Sequence, residues 1–364
     1  MTRDIHSKAF DKGTKTKLHL YRQYVEAWLP VFMTNRSEYA KKGINIYDLF
    51  CGPGHDATGE CGSPLILLDT LNVYKSNPQT CHHSPVKIFF NDGAKYKVEK
   101  LEQCICQKYG DLENVHINYS ARKFEDIFPE MLGNLKNRDQ ANLVFLDQNG
   151  INALDKNNFL QLIESHKTDW ILFVASNFVY RFRDHPSIKQ YIDIASCECN
   201  NKYQIHNVVA NWYKDLIPDG MEYYISQFTI LKNNNIYGLI FGTANPRGAA
   251  KFLTACWNID PVYGTANYDI PTRGKAVQQQ LTLFPSSPRL QHFKDSLREE
   301  LQSGNLTTNK DVYLFALNNG FLPKHASENL KAFKSEGLIE RGQISLSYKK
   351  IFKENAVEKI RLKA

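Results

Sequence analysis

No run of about 18 consecutive apolar residues occurs in this chain of 364 residues, so no membrane-spanning helix is expected. The segment from Met1 to Lys17 lacks the apolar stretch of a secretory leader; it is polar and basic. Paired cysteines are also missing. The eight cysteines stand singly or as Cys104-x-Cys106 and Cys197-x-Cys199, which excludes a disulfide framework and fits reduced thiols in a cytosol. A cytoplasmic protein without membrane contact is the expectation. Zinc-ligand spacing is absent as well: neither Cys81-His82-His83 nor Cys197-x-Cys199 with His206 supplies two separated close pairs, so no metal is expected. No internal repeat is visible.

What is present is an alternation of strand and helix patterns. Lys15 to Phe32 reads as an amphipathic helix, with Leu18, Tyr21, Val25, Trp28 and Leu29 at helical spacing and Pro30 near its end. Strands are predicted at 44–50, 86–91, 115–119, 141–146 and 170–175, each followed or preceded by a helical stretch. Ser63-Pro64 opens the first of these, with Ser63 read as its N-cap. Strands as continuously apolar as LVFL and ILFVA predict a parallel sheet buried on both faces. Then 222–231 and 236–242, joined by Asn233-Asn234-Asn235, read as an antiparallel hairpin.

The C-terminal part differs in composition. Residues 261–288 are rich in Pro, Gly, Gln and Ser, as a linker is. From Ser286 to Ala364 there are 14 Lys and Arg against 9 Asp and Glu, most of the net charge of +7. Helices at 289–302, 311–318 and 324–336, then short strands at 338–340 and 344–348, follow the order of a winged helix. The expected domains are therefore 1–260, a linker at 261–288, and 289–364. Lys324, His325, Asn329 and Lys331, with Lys334, fall on the would-be recognition helix. Contact with DNA or RNA is favoured by the charge, and protein docking is the other reading.

The stretch IYDLFCGPGHDATGECGSP, from Ile46 to Pro64, is too long for an ordinary strand-to-helix turn. Gly52 and Gly54 leave the first strand where such sheets bind ligands, but Ala57 replaces a third glycine and the helix starts late. A pyrophosphate needs an early helix start, so NAD is disfavoured and S-adenosylmethionine fits, the loop being long because it wraps that cofactor. Asp92, at the second strand end, is placed to accept from ribose hydroxyls. Glu125 and Asp126 either reach an adenine amino group or complement a helix dipole. Asp48 is an acid inside a buried strand and needs a partner. Asp147 closes the fourth strand, where it can accept from an acceptor amine, with Gln148 and Asn149 orienting it or forming the turn with Gly150. No cysteine lies near it, which excludes a thiolate nucleophile. Arg181 and Arg183, among aromatics, either stack on and pair with nucleic acid or cap a loop.

Asp48-Leu49-Phe50-Cys51-Gly52-Pro53-Gly54 resembles the first motif of class I S-adenosylmethionine-dependent methyltransferases, especially those acting on nucleic acid bases. That fold ends in an antiparallel hairpin. Together with the leading helix, Gly62-Ser63-Pro64, Asp92, Tyr237–Phe241 and Asn245-Pro246-Arg247-Gly248, the chain resembles the bacterial three-Cys-motif partner family from about Lys15 to Asn258. The resemblance implies a Rossmann-like class I methyltransferase sheet, mostly parallel, plus a small winged helix. It implies S-adenosylmethionine held by Asp48, Phe50, Gly52, Gly54 and Asp92. It also implies association with a three-cysteine protein similar to radical-S-adenosylmethionine enzymes. One departure is plain: the family's Asp-Pro-Tyr-Gly at the fourth strand end is here Asp147-Gln148-Asn149-Gly150, without an aromatic to clamp a base. Two functions follow: a methyltransferase acting on nucleic acid, or a catalytically inactive partner that binds nucleic acid and assists a neighbouring enzyme.

Overall fold

The computed structural model describes residues 7–33, 42–76, 85–137, 139–148, 150–165, 167–194, 205–232, 235–267, 287–340, 342 and 344–363. Two compact units are formed, residues 1–248 and 249–364. The predicted linker falls largely at 268–286, outside the described residues.

The first unit is built on one seven-stranded sheet: β1 (Ile44–Asp48), β2 (Val86–Asn91), β3 (Val115–Ser120), β4 (Ala141–Leu146), β5 (Thr168–Val174), β6 (Tyr224–Lys232) and β7 (Asn235–Thr243). The strand order is β3-β2-β1-β4-β5-β7-β6. β1 lies parallel to both β2 and β4, Ile46 facing Ile88 on one side and Leu143 on the other. β7 runs antiparallel to β5 and to β6. Burial follows position: every residue of β1 and β4 is buried, whereas β3 at the edge has none. This is the expected Rossmann-like α/β arrangement, mostly parallel with an antiparallel hairpin at the end. The order reverses between β1 and β4, so the crevice for a ligand lies at their C-terminal ends.

Helices pack around this sheet: α1 (Lys12–Met33), α2 (Ser63–Lys75), α3 (Lys95–Tyr109), α4 (Phe124–Leu135), α5 (Lys156–Ile163), α6 (Ser176–Phe182), α7 (Pro186–Lys189) and α8 (Ile205–Asp215). Aromatics fix α1. Tyr24 Oη and Trp28 Nε1 donate to Asp169 Oδ2 at 2.7 and 2.9 Å, one helical turn apart and both buried. Thr243 Oγ1 donates to the other oxygen of Asp169. Burial pushes this carboxyl up, and the three donors oppose the shift. A buried acid inside β5 thus ties the N-terminal helix to the sheet. The N-cap of α2 is Gly62, not Ser63: the serine hydroxyl is drawn inward to Asp48.

α9 (Pro246–Ile259) runs into the second unit, which also holds α10 (Pro288–Gln302), α11 (Asn309–Asn318) and α12 (Pro323–Ser335). Phe293 stacks on Phe321 at 4.0 Å, with Leu297, Val312 and Phe333 buried. Among the described residues, 338–340 and 344–348 do not pair as the predicted hairpin. Ile339 instead bridges Leu362, and Thr308 bridges Lys359. The C-terminal segment takes the place of the partner strand: Glu340 N donates to Arg361 O and Lys363 N to Leu338 O, while buried Asn309 donates through Nδ2 to Ser345 O and Ala356 O and ties those segments to the start of α11.

Candidate functional site

The crevice begins where β1 ends. Asp48 is fully buried and braces the turn: Ser63 Oγ donates to its Oδ2 at 2.6 Å, and Phe50 N approaches Oδ1 at 3.4 Å. Burial raises its carboxyl to about 7, while Ser63, Phe50 N and Lys17 pull it down and Asp147 adds to the rise. Asp48 therefore holds the loop, with both oxygens turned to the protein. Gly52 and Gly54 have φ of +63° and +91°, a backbone region costly for any side chain. A Cβ on Gly54 would also meet Leu101 Cδ1 at 2.9 Å.

Asp92 follows β2 and faces this loop. Gly52 N donates to its Oδ2 at 3.2 Å and Ala94 N to its Oδ1 at 2.9 Å; Lys97 Nζ stands 4.0 Å away. A carboxylate has about four acceptor positions, so two remain for a ligand. Phe50 stacks on Phe124 with centroids 5.7 Å apart, an aromatic wall beside the glycines. Glu125 and Asp126 lie exposed in the first turn of α4, where Arg122 Nη2 donates to Asp126 O at 3.1 Å.

The length of the loop has a different cause from the one expected. Residues 55–61 close on themselves through a bridge between His55 and Cys61. At their centre Asp56, almost fully buried, accepts from Thr58 N, Thr58 Oγ1 and Glu60 N at 2.8–2.9 Å, and from Phe10 N. Burial works against the charge, yet these donors hold the carboxyl at about 2. The extra residues are a pinned hairpin that clamps the chain just before α1.

At the tip of β4, Asp147 Oδ2 receives the ammonium of Lys17 from α1. Lys17 is almost wholly buried, and its Nζ lies 4.6 Å from the centre of the Phe173 ring. One turn on, Tyr21 is fully buried against Phe145, at 4.5 Å, and its hydroxyl has no hydrogen-bond partner among the described residues. Burial and the nearby Asp48 raise that phenol well above its usual range. Sequence reasoning missed Lys17 and Tyr21; their spacing of four residues on α1 was the available signal. Gln148 is buried, and its Oε1 accepts from Ala153 N at 2.7 Å, so it closes the following turn. Asn149 lies outside the described residues. The structure thus brings Asp48, Gly52, Gly54, Asp92 and Asp147 to one edge of the sheet.

Arg181 and Arg183 lie on and just after α6, beyond β5. Arg181 is exposed; Arg183 stands 4.9 Å from the centre of the Tyr180 ring and donates to Tyr180 O. In the second unit, Lys324 and Lys331 are exposed and Asn329 half-exposed on α12. With Ser327, Lys334, Gly342 and residues 344–347 the two lysines line an open groove of about 750 Å³. His325 does not belong to that face. It is buried, 4.3 Å from Trp257, with Nδ1 accepting from Leu322 N at 3.2 Å; burial, then Lys324 and Arg289, depress it to about 4. It caps α12 from inside, a correction to its expected role.

Among the described residues no cluster of three or more His, Cys, Asp or Glu could hold a metal, and no helix is long and apolar enough to cross a membrane. His206, one of the residues weighed for zinc, is buried and paired with Thr229 Oγ1, while Cys81 and Cys197 lie outside the described residues.

A family model described as a GMT-like wHTH domain matches residues 270–340, and the C-terminal helices form a winged helix-turn-helix. No curated protein matches the chain in sequence. Among solved structures the chain is similar to Trm1 from Pyrococcus horikoshii in complex with S-adenosyl-L-methionine, at 11% identity and TM-score 0.34, covering 70% of this chain. It spans 61% of that protein, less than two thirds of its length. The O-methyltransferase from Bacillus cereus in complex with SAH is 12% identical, with TM-score 0.35, over 65% of this chain and 82% of its own. The O-methyltransferase TomG from Streptomyces achromogenes is 10% identical, with TM-score 0.34, over 65% of this chain and 91% of its own.

Proposed function

We propose that this chain is an S-adenosylmethionine-dependent methyltransferase acting on nucleic acid, DNA in the first instance, which its winged helix-turn-helix binds. One observation carries the reading: Asp92 is hydrogen-bonded to the backbone of Gly52 beside the strand-order reversal, with acceptor capacity to spare. The residues fit the cofactor. Asp92 would hold the ribose hydroxyls, Gly52 and Gly54 admit close approach of a ligand to the backbone, and Phe50 with Phe124 offers an apolar wall. Glu125 and Asp126 stand one loop further along the same edge. The bound cofactor supplies an already activated methyl group on sulfur, so the protein's task is placement.

Asp147 is the acid nearest the acceptor in this reading. As a carboxylate it accepts a hydrogen bond from the acceptor and orients it, while the Lys17 ammonium balances its charge and fixes its direction. Asp48 keeps the loop in register with α2. The groove on α12 suits a phosphate backbone: Lys324, Lys331 and Lys334 line it with Ser327.

A second reading is favoured by one specific observation. Asp147 and Gln148 are both engaged within the protein, by Lys17 and by Ala153 N, and no aromatic clamps a base at this turn. On that reading the chain is a non-catalytic partner of a neighbouring enzyme, such as the three-cysteine radical-S-adenosylmethionine-like protein that the sequence resemblance brings with it.

Calorimetric titration with S-adenosylmethionine, with NAD as control, tests the cradle. We expect S-adenosylmethionine to bind, and Asp92→Ala to weaken it by about 10- to 100-fold, the loss of charge-assisted hydrogen bonds. Because Asp92 also holds Gly52, the melting temperature of the variant is measured alongside. No heat with either ligand from a folded wild type would overturn the cofactor site. Binding that transfers no methyl group to any DNA or RNA would favour the partner reading.

A further inference from the structure

We infer that the exposed aromatic pair Phe178 and Phe182 on α6 is a stacking platform for an unpaired nucleobase, doing here what the missing aromatic at the β4 turn does elsewhere. The inference rests on the nucleic-acid reading of this sheet edge and names the substrate form: a single-stranded or extruded base.

Three observations lead to it. First, Phe178 and Phe182 are 45% and 43% exposed, and they are two of only five large hydrophobic side chains so exposed among the described residues. They stand four residues apart, on one face of a seven-residue helix, with centroids 4.8 Å apart and planes at 50°. Val179, between them in sequence, is fully buried and anchors the helix, so the two rings are displayed by a fixed element.

Second, the pair is accompanied by cations. Arg181 is exposed and makes no ion pair among the described residues. Arg183 is held over Tyr180 and, among the described residues, meets only a distant acid, Asp184 at 4.0 Å. Aromatic faces set among guanidinium groups suit a base flanked by phosphates, whereas a hydrophobic protein partner would need no such charge.

Third, the location is right. β5 is parallel to β4, with Leu146 opposite Leu172, so both strands end at the same edge. The Lys17 ammonium touches both tips, pairing with Asp147 at the end of β4 and lying over Phe173 in β5. α6 begins two residues after β5 ends. The aromatic pair therefore follows the strand next to the acid that would meet the acceptor atom. A base lodged in a duplex presents no face to stack on, so the platform selects an unpaired base.

The test is fluorescence anisotropy of the full chain with a short labelled single strand and with the same sequence as duplex. It uses wild type, F178A/F182A, F178L/F182L and K324A/K331A. We expect F178A/F182A to weaken single-strand binding by at least about tenfold and leave duplex binding unchanged. F178L/F182L, which keeps apolar area but no π-face, should lose nearly as much. Both rings are exposed, so the melting temperature should hold in both variants, and calorimetry with S-adenosylmethionine should match wild type. The proposal fails if the alanine pair binds single strands like wild type, or if the leucine pair retains affinity, which marks a generic apolar contact for a protein. It also fails if the loss appears only in K324A/K331A. Unchanged cofactor binding in any of these failures leaves the methyltransferase reading standing, so the two can fall separately.

Discussion

Lys17 is the side chain on which the candidate site most depends. Almost wholly buried, its ammonium sits against Asp147 with Asp48 nearby, so one cation serves a region with two acids. Removing one member of a buried pair leaves the other charge uncompensated, which costs about 3–5 kcal/mol. Lys17→Met should therefore destabilise the protein by that amount in urea denaturation, and Lys17→Met with Asp147→Asn by clearly less. A loss in the double variant equal to the sum of the losses in Lys17→Met and Asp147→Asn alone would show that the pair is not coupled. This lysine was not legible in the sequence, because on a helix of mixed polarity it looks like any solvated lysine. What turns it inward is the docking of Tyr24 and Trp28 on Asp169, a contact between residues about 140 positions apart. His325 went the opposite way. It sits among polar residues in sequence, yet capping the start of α12 and packing on Trp257 draw it into the core. By contrast, Asp48, Asp92 and Asp147 were readable as a set, since each closes a strand whose apolar run declared it.

At the level of elements, the hairpin at 55–61 and the helix α1 work together, through the bond from Phe10 N to Asp56. Asp56→Ala removes the acceptor of four donors, and should cost about 2–4 kcal/mol while freeing the segment before α1. Limited proteolysis should then cut before residue 12 much faster than in wild type; unchanged cleavage would show that the clamp is idle. Its carboxyl is depressed in the folded state, so its contribution is present above the ordinary Asp value near 4 and is lost as pH falls through about 2. Gly54→Ala acts on the same loop. With φ at +91° and Leu101 in the way, it should destabilise by about 1–3 kcal/mol and weaken S-adenosylmethionine in calorimetry. The strands and the closing hairpin of the sheet were legible because continuous apolar runs can only be central strands in an α/β unit. The winged-helix pairing was not. Segments 338–340 and 344–348 both have strand composition, and nothing local in the sequence marks residues 361–363 as the segment that pairs with 338–340 instead.

For the whole molecule, the two units carry buried groups whose titration pulls stability in opposite directions. In the first unit Asp48 is raised to about 7 by burial, and Asp169 is raised by burial as well. An acid raised on folding binds its proton more tightly in the native state. For Asp48 the stability this gives is full below the ordinary value near 4 and is lost as pH rises through about 7. In the second unit burial lowers His325 to about 4, with Lys324 and Arg289 adding to the effect. The native state then refuses a proton that the unfolded chain takes near pH 6.5. That contribution is full above about 6.5 and lost as pH falls through about 4. Lowering the pH from 7 to 5 should therefore stabilise the first unit through Asp48 while weakening the second through His325. Scanning calorimetry of the full chain reads this through two substitutions. Asp48→Asn should flatten the gain on acidification. His325→Gln, which keeps an acceptor for Leu322 N but does not titrate, should flatten the loss. If both variants keep the wild-type pH profile, neither group governs it and the assignment of these two buried residues as opposing titrators is wrong.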